Sequence, residues 1–233
     1  MNTDVLLRLL AAHIVADFFL QTDYLCKLKK TRPCLGLPLH SLIQALCSYL
    51  CVAEWGNIII PTVIFATHGI IDWYKTEHMK ECVRNFILDQ ALHIIVIIGI
   101  SLCFAGESSI SLSAMTNTLF TAKSLLIVCV YLLMLKPSSI FLSLLLKQWN
   151  VKIKDKSLPN AGKWIGYLER TLVLTFILTN SIEGVGFLLA AKSVFRFGDL
   201  NKANDIQVTE YILIGTLTSF AIAIMTGVAI TKL

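Results

Sequence analysis

Three pairs of histidine and aspartate, each four residues apart, stand inside apolar stretches of this chain: His13 with Asp17, His68 with Asp72, and Asp89 with His93. A four-residue step returns a helical side chain to nearly the same face, so each pair aims an imidazole and a carboxylate at one spot. Between the second and third pairs lies only a polar connection, Lys75 to Arg84, short enough to hold two antiparallel helices side by side. The pairs at its two ends therefore sit at matching depth.

The surroundings make such groups unusual. The chain is 56% hydrophobic and only 15% charged, with a mean hydropathy of +0.73, values of an integral membrane protein. An ionisable side chain at membrane depth costs roughly 2.5–3.5 kcal/mol on insertion scales, so it needs a partner, a pathway or a ligand. The net charge of +5 is spread over short loops without a basic block, and no nucleic-acid partner is expected.

The pattern predicts an all-α, polytopic transmembrane helical bundle of about seven segments, forming a single integral membrane domain over residues 1–233. Residues 1–105 would carry the site helices and 106–233 the supporting helices and polar loops. The first segment, Val5 to Leu20, is retained rather than cleaved, because Asn2, Thr3 and Asp4 precede it and the basic cluster Lys27 to Arg32 follows. The second runs from Pro38 to about Trp55, the third from Ile58 to Tyr74 and the fourth from Phe86 to Phe104. After a connection at Ala105 to Thr121, a fifth extends from Ser124 to Leu146, bent near Pro137. Trp164 to Ala191 is a sixth and Tyr211 to Ile230 a seventh.

Lys and Arg concentrate in Lys27 to Arg32, Lys75 to Arg84 and Lys147 to Lys163, after the first, third and fifth segments. That bias places these loops in the cytoplasm and the amino terminus outside. The exception is Lys192 to Glu210, which holds Lys192, Arg196 and Lys202; either the sixth segment is re-entrant or this loop breaks the rule. In this orientation His13, Asp17, His40, His68, Asp72, Asp89 and His93 all fall in the cytoplasmic half, while His78 lies in a loop. One polar site in the cytoplasmic leaflet is the economical reading.

Imidazoles and carboxylates together suit a divalent metal, with zinc first and manganese or iron as alternatives. The metal set is His13, Asp17, His40, His68, Asp72, Asp89 and His93, either as one four-coordinate site, with His13, His68, His93 and one Asp as its ligands, or as two sites sharing a bridging Asp. An Asp left off the metal, from among Asp17, Asp72 and Asp89, would serve as general base or orient an imidazole. Gln21 continues the His13–Asp17 face, and with Gln90 and Lys75 it is expected to contact substrate. Arg170 and Lys192 are expected to hold an anionic head group or phosphate, with Arg196 beside them; alternatively they pair with Glu169 or Glu183. The alternative for the polar set as a whole is helix-packing hydrogen bonding.

The stretches AHIVADFFLQTDYLCKLK, THGIIDWYK, FILDQALH, GKWIGYLERTLVL, AAKSVFRF and EYILIGTLTS, with the His40 helix, resemble the bacterial membrane-protein family known as domain of unknown function 3307. That resemblance implies a fold and a bacterial inner-membrane location, and no activity. The HxxxD and THxxxD motifs are also similar to those of predicted membrane-bound metal-dependent hydrolases, which implies a metal centre at His13, Asp17, His68, Asp72, Asp89 and His93. Hydrolysis of a phosphorylated or lipid-linked substrate is therefore the expected function. A cation- or proton-coupled transporter and a non-catalytic membrane assembly or defence component are the alternatives, and homo-oligomers are compatible with each. Seven cysteines without CxxC spacing are expected to stay reduced. Trp55, Trp73, Trp149 and Trp164 fall near segment ends, where an interfacial belt would place them.

Overall fold

The computed structural model describes residues 3–103, 121–149, 151, 158, 160–200 and 206–232, with side chains described only to residue 194 within 160–200. Its regular structure is helical throughout the described residues. The chain forms two compact units, Met1–Leu132 and Leu133–Leu233, so the division falls inside the fifth apolar segment. Among the described residues, four helical stretches are long and apolar enough to cross a membrane: Pro33–Val52, Val83–Cys103, Ala122–Trp149 and Ile206–Thr231.

The first unit begins with α1 (Thr3–Ile14), which runs into a wider, π-helical turn over Val15–Leu20. Gln21 N–H donates to Ala16 C=O, five residues back, at 3.0 Å. Such a turn inserts one residue into the helix, re-aims the side chains around it and recurs at functional sites; here it carries Asp17. Then come α2 (Asp23–Thr31), α3 (Pro33–Val52), α4 (Ile59–His78) and α5 (Val83–Cys103). The α3–α4 packing is the most extensive in this unit, with α1 against α3 and α5, and α4 against α5.

These helices are built inside out relative to a soluble bundle. On α3, Leu35, Leu39, Leu42, Leu46 and Leu50 are exposed, whereas His40, Ser41, Gln44 and Ser48 are buried. On α5, Ile87, Leu88, Leu92, Ile95 and Leu102 face out while Asp89 and His93 face in. Leucine outward and polar inward is the pattern that a hydrocarbon solvent selects, because lipid tails are as apolar as leucine and buried polar groups seek each other. Towards the other end of the bundle the interior is apolar: Val5, Leu9, Val52, Ile60, Ile64, Ile97 and Ile100 form one buried cluster.

Several expected boundaries move. The Lys27–Arg32 stretch is not a loop; residues 23–31 form α2, capped by Thr22 Oγ1, which accepts from Leu25 N–H at 3.3 Å. The second segment starts at Pro33, in the first helical turn where a missing N–H is tolerated, so Pro38 lies inside the helix rather than at its start. Helix α4 continues past Tyr74, which puts Lys75 and His78 on it and shrinks the polar connection to Met79–Cys82. His78 stacks on Tyr74, ring centroids 4.9 Å apart, clear of the buried groups. All seven cysteines are free. Most of the expected Ala105 to Thr121 connection lies outside the described residues.

In the second unit, α6 (Ala122–Met134), which begins in the first, gives way to α7 (Lys136–Leu146) at the bend expected near Pro137. Helices α8 (Ala161–Leu178), α9 (Ile182–Leu200) and α10 (Ile206–Thr231) follow. Trp164 to Ala191 is thus two helices and not one. Asn180 adopts φ 57°, the left-handed conformation asparagine tolerates best after glycine, and Ser181 N–H returns to Phe176 C=O at 2.7 Å, ending α8 and reversing the chain. A Cβ on Gly184 would sit 2.9 Å from the Phe176 ring, so glycine lets the two arms close. The reversal brings Lys192 Nζ to 2.5 Å from Glu169 Oε2.

Candidate metal centre

Four elements of the first unit each deliver side chains to one buried spot: the α1/π turn supplies His13 and Asp17, α3 His40, α4 His68 and Asp72, and α5 Asp89 and His93. The six of these classed as fully buried are at most 3% exposed, and the Asp17 side chain is 7% exposed. The convergence required by the three sequence pairs is therefore met. His13 and His93 rings lie 5.0 Å apart, His68 and His93 4.2 Å, and His13 and His68 5.9 Å.

The tightest group, however, is a different one. Asp17 Oδ1, His40 Nε2 and His68 Nε2 form a triangle with edges of 3.1, 3.2 and 3.0 Å. A tetrahedral ion with bonds of about 2.0–2.1 Å holds its donors about 3.3 Å apart, so this triangle is already the size of one face of a coordination shell. Asp72 Oδ2 stands 3.5 Å from His40 Nε2 and 3.7 Å from His68 Nε2, where a fourth donor belongs. The three histidines of the set expected from sequence, His13, His68 and His93, also have donor atoms within 4.8 Å of one another, without an Asp in the same group. His40, a lone histidine in the sequence, is central rather than peripheral.

Close helix contact makes the triangle possible. A Cβ on Gly69 would meet Ser41 Oγ at 3.1 Å, so small residues next in sequence to His40 and His68 let α3 and α4 approach. A third donor group, Asp72, Asp89 and His93, adjoins the first through Asp72: its Oδ1 is 3.9 Å from His93 Nε2, which is 3.6 Å from Asp89 Oδ1. His93 Nε2 and Asp89 Oδ1 are buried without a hydrogen-bond partner. An orphaned imidazole nitrogen facing an orphaned carboxylate oxygen is what a cation between them would satisfy.

Two lysines clamp the carboxylates. Lys75 Nζ, expected in a substrate-binding role, lies 2.5 Å from Asp89 Oδ2. Lys29 Nζ lies 2.5 Å from Asp72 Oδ2 with its side chain 9% exposed, and sequence reasoning missed it. The signal was present: Thr22 as a cap, then Leu25 and Lys29 four apart on one face of α2. Helix α2 can reach the site because a Cβ on Gly36 would fall 2.5 Å from Lys29 N and 2.7 Å from Leu28 C, an approach only glycine permits. Gln21 lies at this rim: with its amide oriented to suit its neighbours it donates to Asp17 C=O at 2.9 Å and accepts from Lys29 Nζ at 3.0 Å. Gln90 bridges His13 Nε2 at 3.3 Å and Asp89 Oδ2 at 3.1 Å.

With the imidazoles neutral, three carboxylates face two ammonium groups, which leaves one negative charge in a nearly closed site. One cation balances it: a proton on an imidazole, or one divalent ion together with a single anion. Two divalent ions would overshoot unless both lysines left, so the charge count favours one.

Arg170 and Lys192 belong to the second unit and are engaged there. Arg170, 2% exposed, donates from Nε to Met134 C=O at 2.6 Å, from Nη2 to Leu135 C=O at 3.4 Å and Ser139 Oγ at 2.7 Å, and from Nη1 to Ser219 Oγ at 3.1 Å. It satisfies the carbonyls that the α6/α7 break frees. Lys192 pairs with Glu169, and the Arg196 side chain lies outside the described residues.

A family described as Protein of unknown function (DUF3307) matches residues 5–123, a stretch that contains every donor and both lysines of the cluster. No curated protein and no solved structure matches the chain.

Proposed function

Because the chain belongs to the DUF3307 family, whose description states no activity, its chemistry has to be read from the cluster itself, and we propose a membrane-embedded, metal-dependent hydrolase. The observation that carries this reading is the 3.0–3.2 Å triangle of Asp17 Oδ1, His40 Nε2 and His68 Nε2, with Asp72 Oδ2 behind it. Asp17, His40 and His68 would hold one divalent ion, zinc by donor type, and Asp72, farther off at 3.5–3.7 Å from the two imidazoles, would yield the fourth position to water. Such an ion lowers the pKa of a coordinated water to about 7 and polarises an ester or phosphoryl oxygen. Lys29 holds Asp72 in place, His93 and Asp89 stand beside it to accept a proton, and Gln90 fixes His13. Lys75 would release Asp89 towards substrate by swinging outward, since its side chain is 41% exposed.

A lipid-linked substrate is supported by a groove of about 510 Å³ between α3 and α4, lined by Leu37, Pro38, Phe65, Ile70 and Trp73 and reaching Ser41 and Gly69. The protein would sit in a bacterial inner membrane with its amino terminus outside and the cluster in the cytoplasmic leaflet. The α8–α9 hairpin supports that orientation, since its out-and-back path returns Lys192 to Glu169, in the half of α8 that begins beside Lys163. The seven-residue apolar cluster beyond the site favours hydrolysis over a carrier, which needs a second opening there.

The test is turnover by purified protein, chelated and then reloaded with zinc or manganese, on long-chain phosphomonoesters and esters beside their water-soluble analogues. Hydrolysis of the long-chain compounds, lost in Asp17→Asn and His40→Ala, is the expected result. Stoichiometric metal with no turnover on any of them would remove the hydrolase and leave a metal site.

A further inference from the structure

One face of α3 carries three polar atoms that the cluster does not use. His40 Nδ1, Gln44 Oε1 and Ser48 Oγ are all buried without a hydrogen-bond partner, in residues 0%, 2% and 0% exposed. Positions 40, 44 and 48 recur every four residues and so share a face, each about 6 Å along the axis from the last at 1.5 Å per residue. That step is too long for a direct hydrogen bond of about 2.7–3.2 Å and suits one bridging molecule between neighbours. Three orphaned polar groups on one stripe of an otherwise leucine-rich helix would each carry the full penalty of a lost hydrogen bond. Leucine at 44 or alanine at 48 would avoid it.

We infer that the His40–Gln44–Ser48 face of α3 is a binding site for a short file of ordered water that ends on the buried histidine of the cluster. The polarity of the atoms fits. His40 turns Nε2 towards Asp17 and His68, so when Nε2 serves as a ligand its proton is on Nδ1, which donates to the first water. That water donates on to Gln44 Oε1, and a second joins Gln44 to Ser48. A ligating histidine nearly always donates its other ring N–H to a carboxylate, carbonyl or water, and here no carboxylate or carbonyl accepts from Nδ1, which leaves water. The file has one end only: Val52, the next residue on the stripe, belongs to the apolar cluster with Val5, Leu9, Ile60 and Ile64. Water on this face therefore communicates with the donor cluster and stops at a dry plug. Its role, holding His40 and stocking a nearly closed site with water, rests on the hydrolase reading; its existence does not.

The test uses the full-length protein after chelation, so that it reads hydration and not metal. Gln44→Met with Ser48→Ala removes two of the groups at nearly constant volume. If water satisfies them, the double variant strips His40 Nδ1 of its partner, and the unfolding midpoint falls or stays level. If the face is dry, deleting two orphaned polar groups raises the midpoint by several degrees, and the inference is overturned. An experimental map of the wild-type protein at about 2 Å gives the second measurement: ordered density about 2.7–3.2 Å from His40 Nδ1 and Gln44 Oε1 supports the file, and an empty face sinks it. On reloading with zinc the double variant should bind about 10–100-fold more weakly. A protein that binds no zinc while showing that density would refute the metal reading and leave the water site standing.

Discussion

Replacing Lys29 by methionine isolates the electrostatic balance of the cluster. Lys29 Nζ sits 2.5 Å from Asp72 Oδ2, with side chains 9% and 3% exposed. At an effective dielectric of 20 that attraction is roughly 6–7 kcal/mol before desolvation is counted. Removing one partner of a buried pair costs about 3–5 kcal/mol, because the other charge remains buried and uncompensated. Methionine keeps the stem's volume, so packing is nearly unchanged. The chelated Lys29→Met protein should therefore unfold well below wild type, by roughly 6–20 °C at 2–4 °C per kcal/mol. The same change leaves two negative charges in the cluster instead of one, so a divalent ion should bind more tightly. Zinc at about 100 times its dissociation constant adds about 2.7 kcal/mol, and the zinc-induced rise in midpoint should be larger in the variant than in wild type. Scanning fluorimetry of detergent-purified protein, chelated and titrated with zinc, reads both effects. An unchanged midpoint in chelated Lys29→Met, or a smaller zinc response than wild type, would refute the charge-balance argument.

Three other perturbations separate the parts of the account. Gly36→Ala forces a Cβ against the α2 backbone, so α2 must retreat; a loss of about 1–3 kcal/mol by denaturant unfolding is expected, and an unchanged midpoint would mean α2 does not pack there. Arg170→Leu leaves the carbonyls of Met134 and Leu135 unpaired and should destabilise by about 1–3 kcal/mol for each orphaned group, while metal content stays at the wild-type level; loss of metal would show that Arg170 serves the cluster. Since imidazole must be neutral to coordinate, bound metal should be released as the solution is acidified; dialysis at stepped pH followed by elemental analysis reads it, and a metal content that does not fall at all on acidification would contradict histidine ligation.

The site was legible in the sequence to the extent that it obeys helical spacing. His13–Asp17, His68–Asp72 and Asp89–His93 announce themselves because each pair lies on one helix. The central position of His40 does not, since it depends on how closely α3 meets α4 at Ser41 and Gly69. Lys29 was hidden by a different effect: a short basic stretch reads as a loop, and only the Thr22 cap and the glycine at 36 reveal a packed helix. In the second unit the apolar run from Trp164 masked a reversal that Thr179, Asn180 and Ser181 mark as a turn. Hydropathy averages such a tripeptide away, whereas the left-handed backbone at Asn180 does not.

The central claim is that Asp17, His40 and His68 hold a metal ion. Elemental analysis of the purified protein beside an Asp17→Asn, His40→Ala, His68→Ala variant tests it most directly. About one equivalent of a transition metal per chain in the wild type and under a tenth in the variant is the predicted result; negligible metal in both, after purification without chelators and reloading with zinc, manganese and iron, would contradict it.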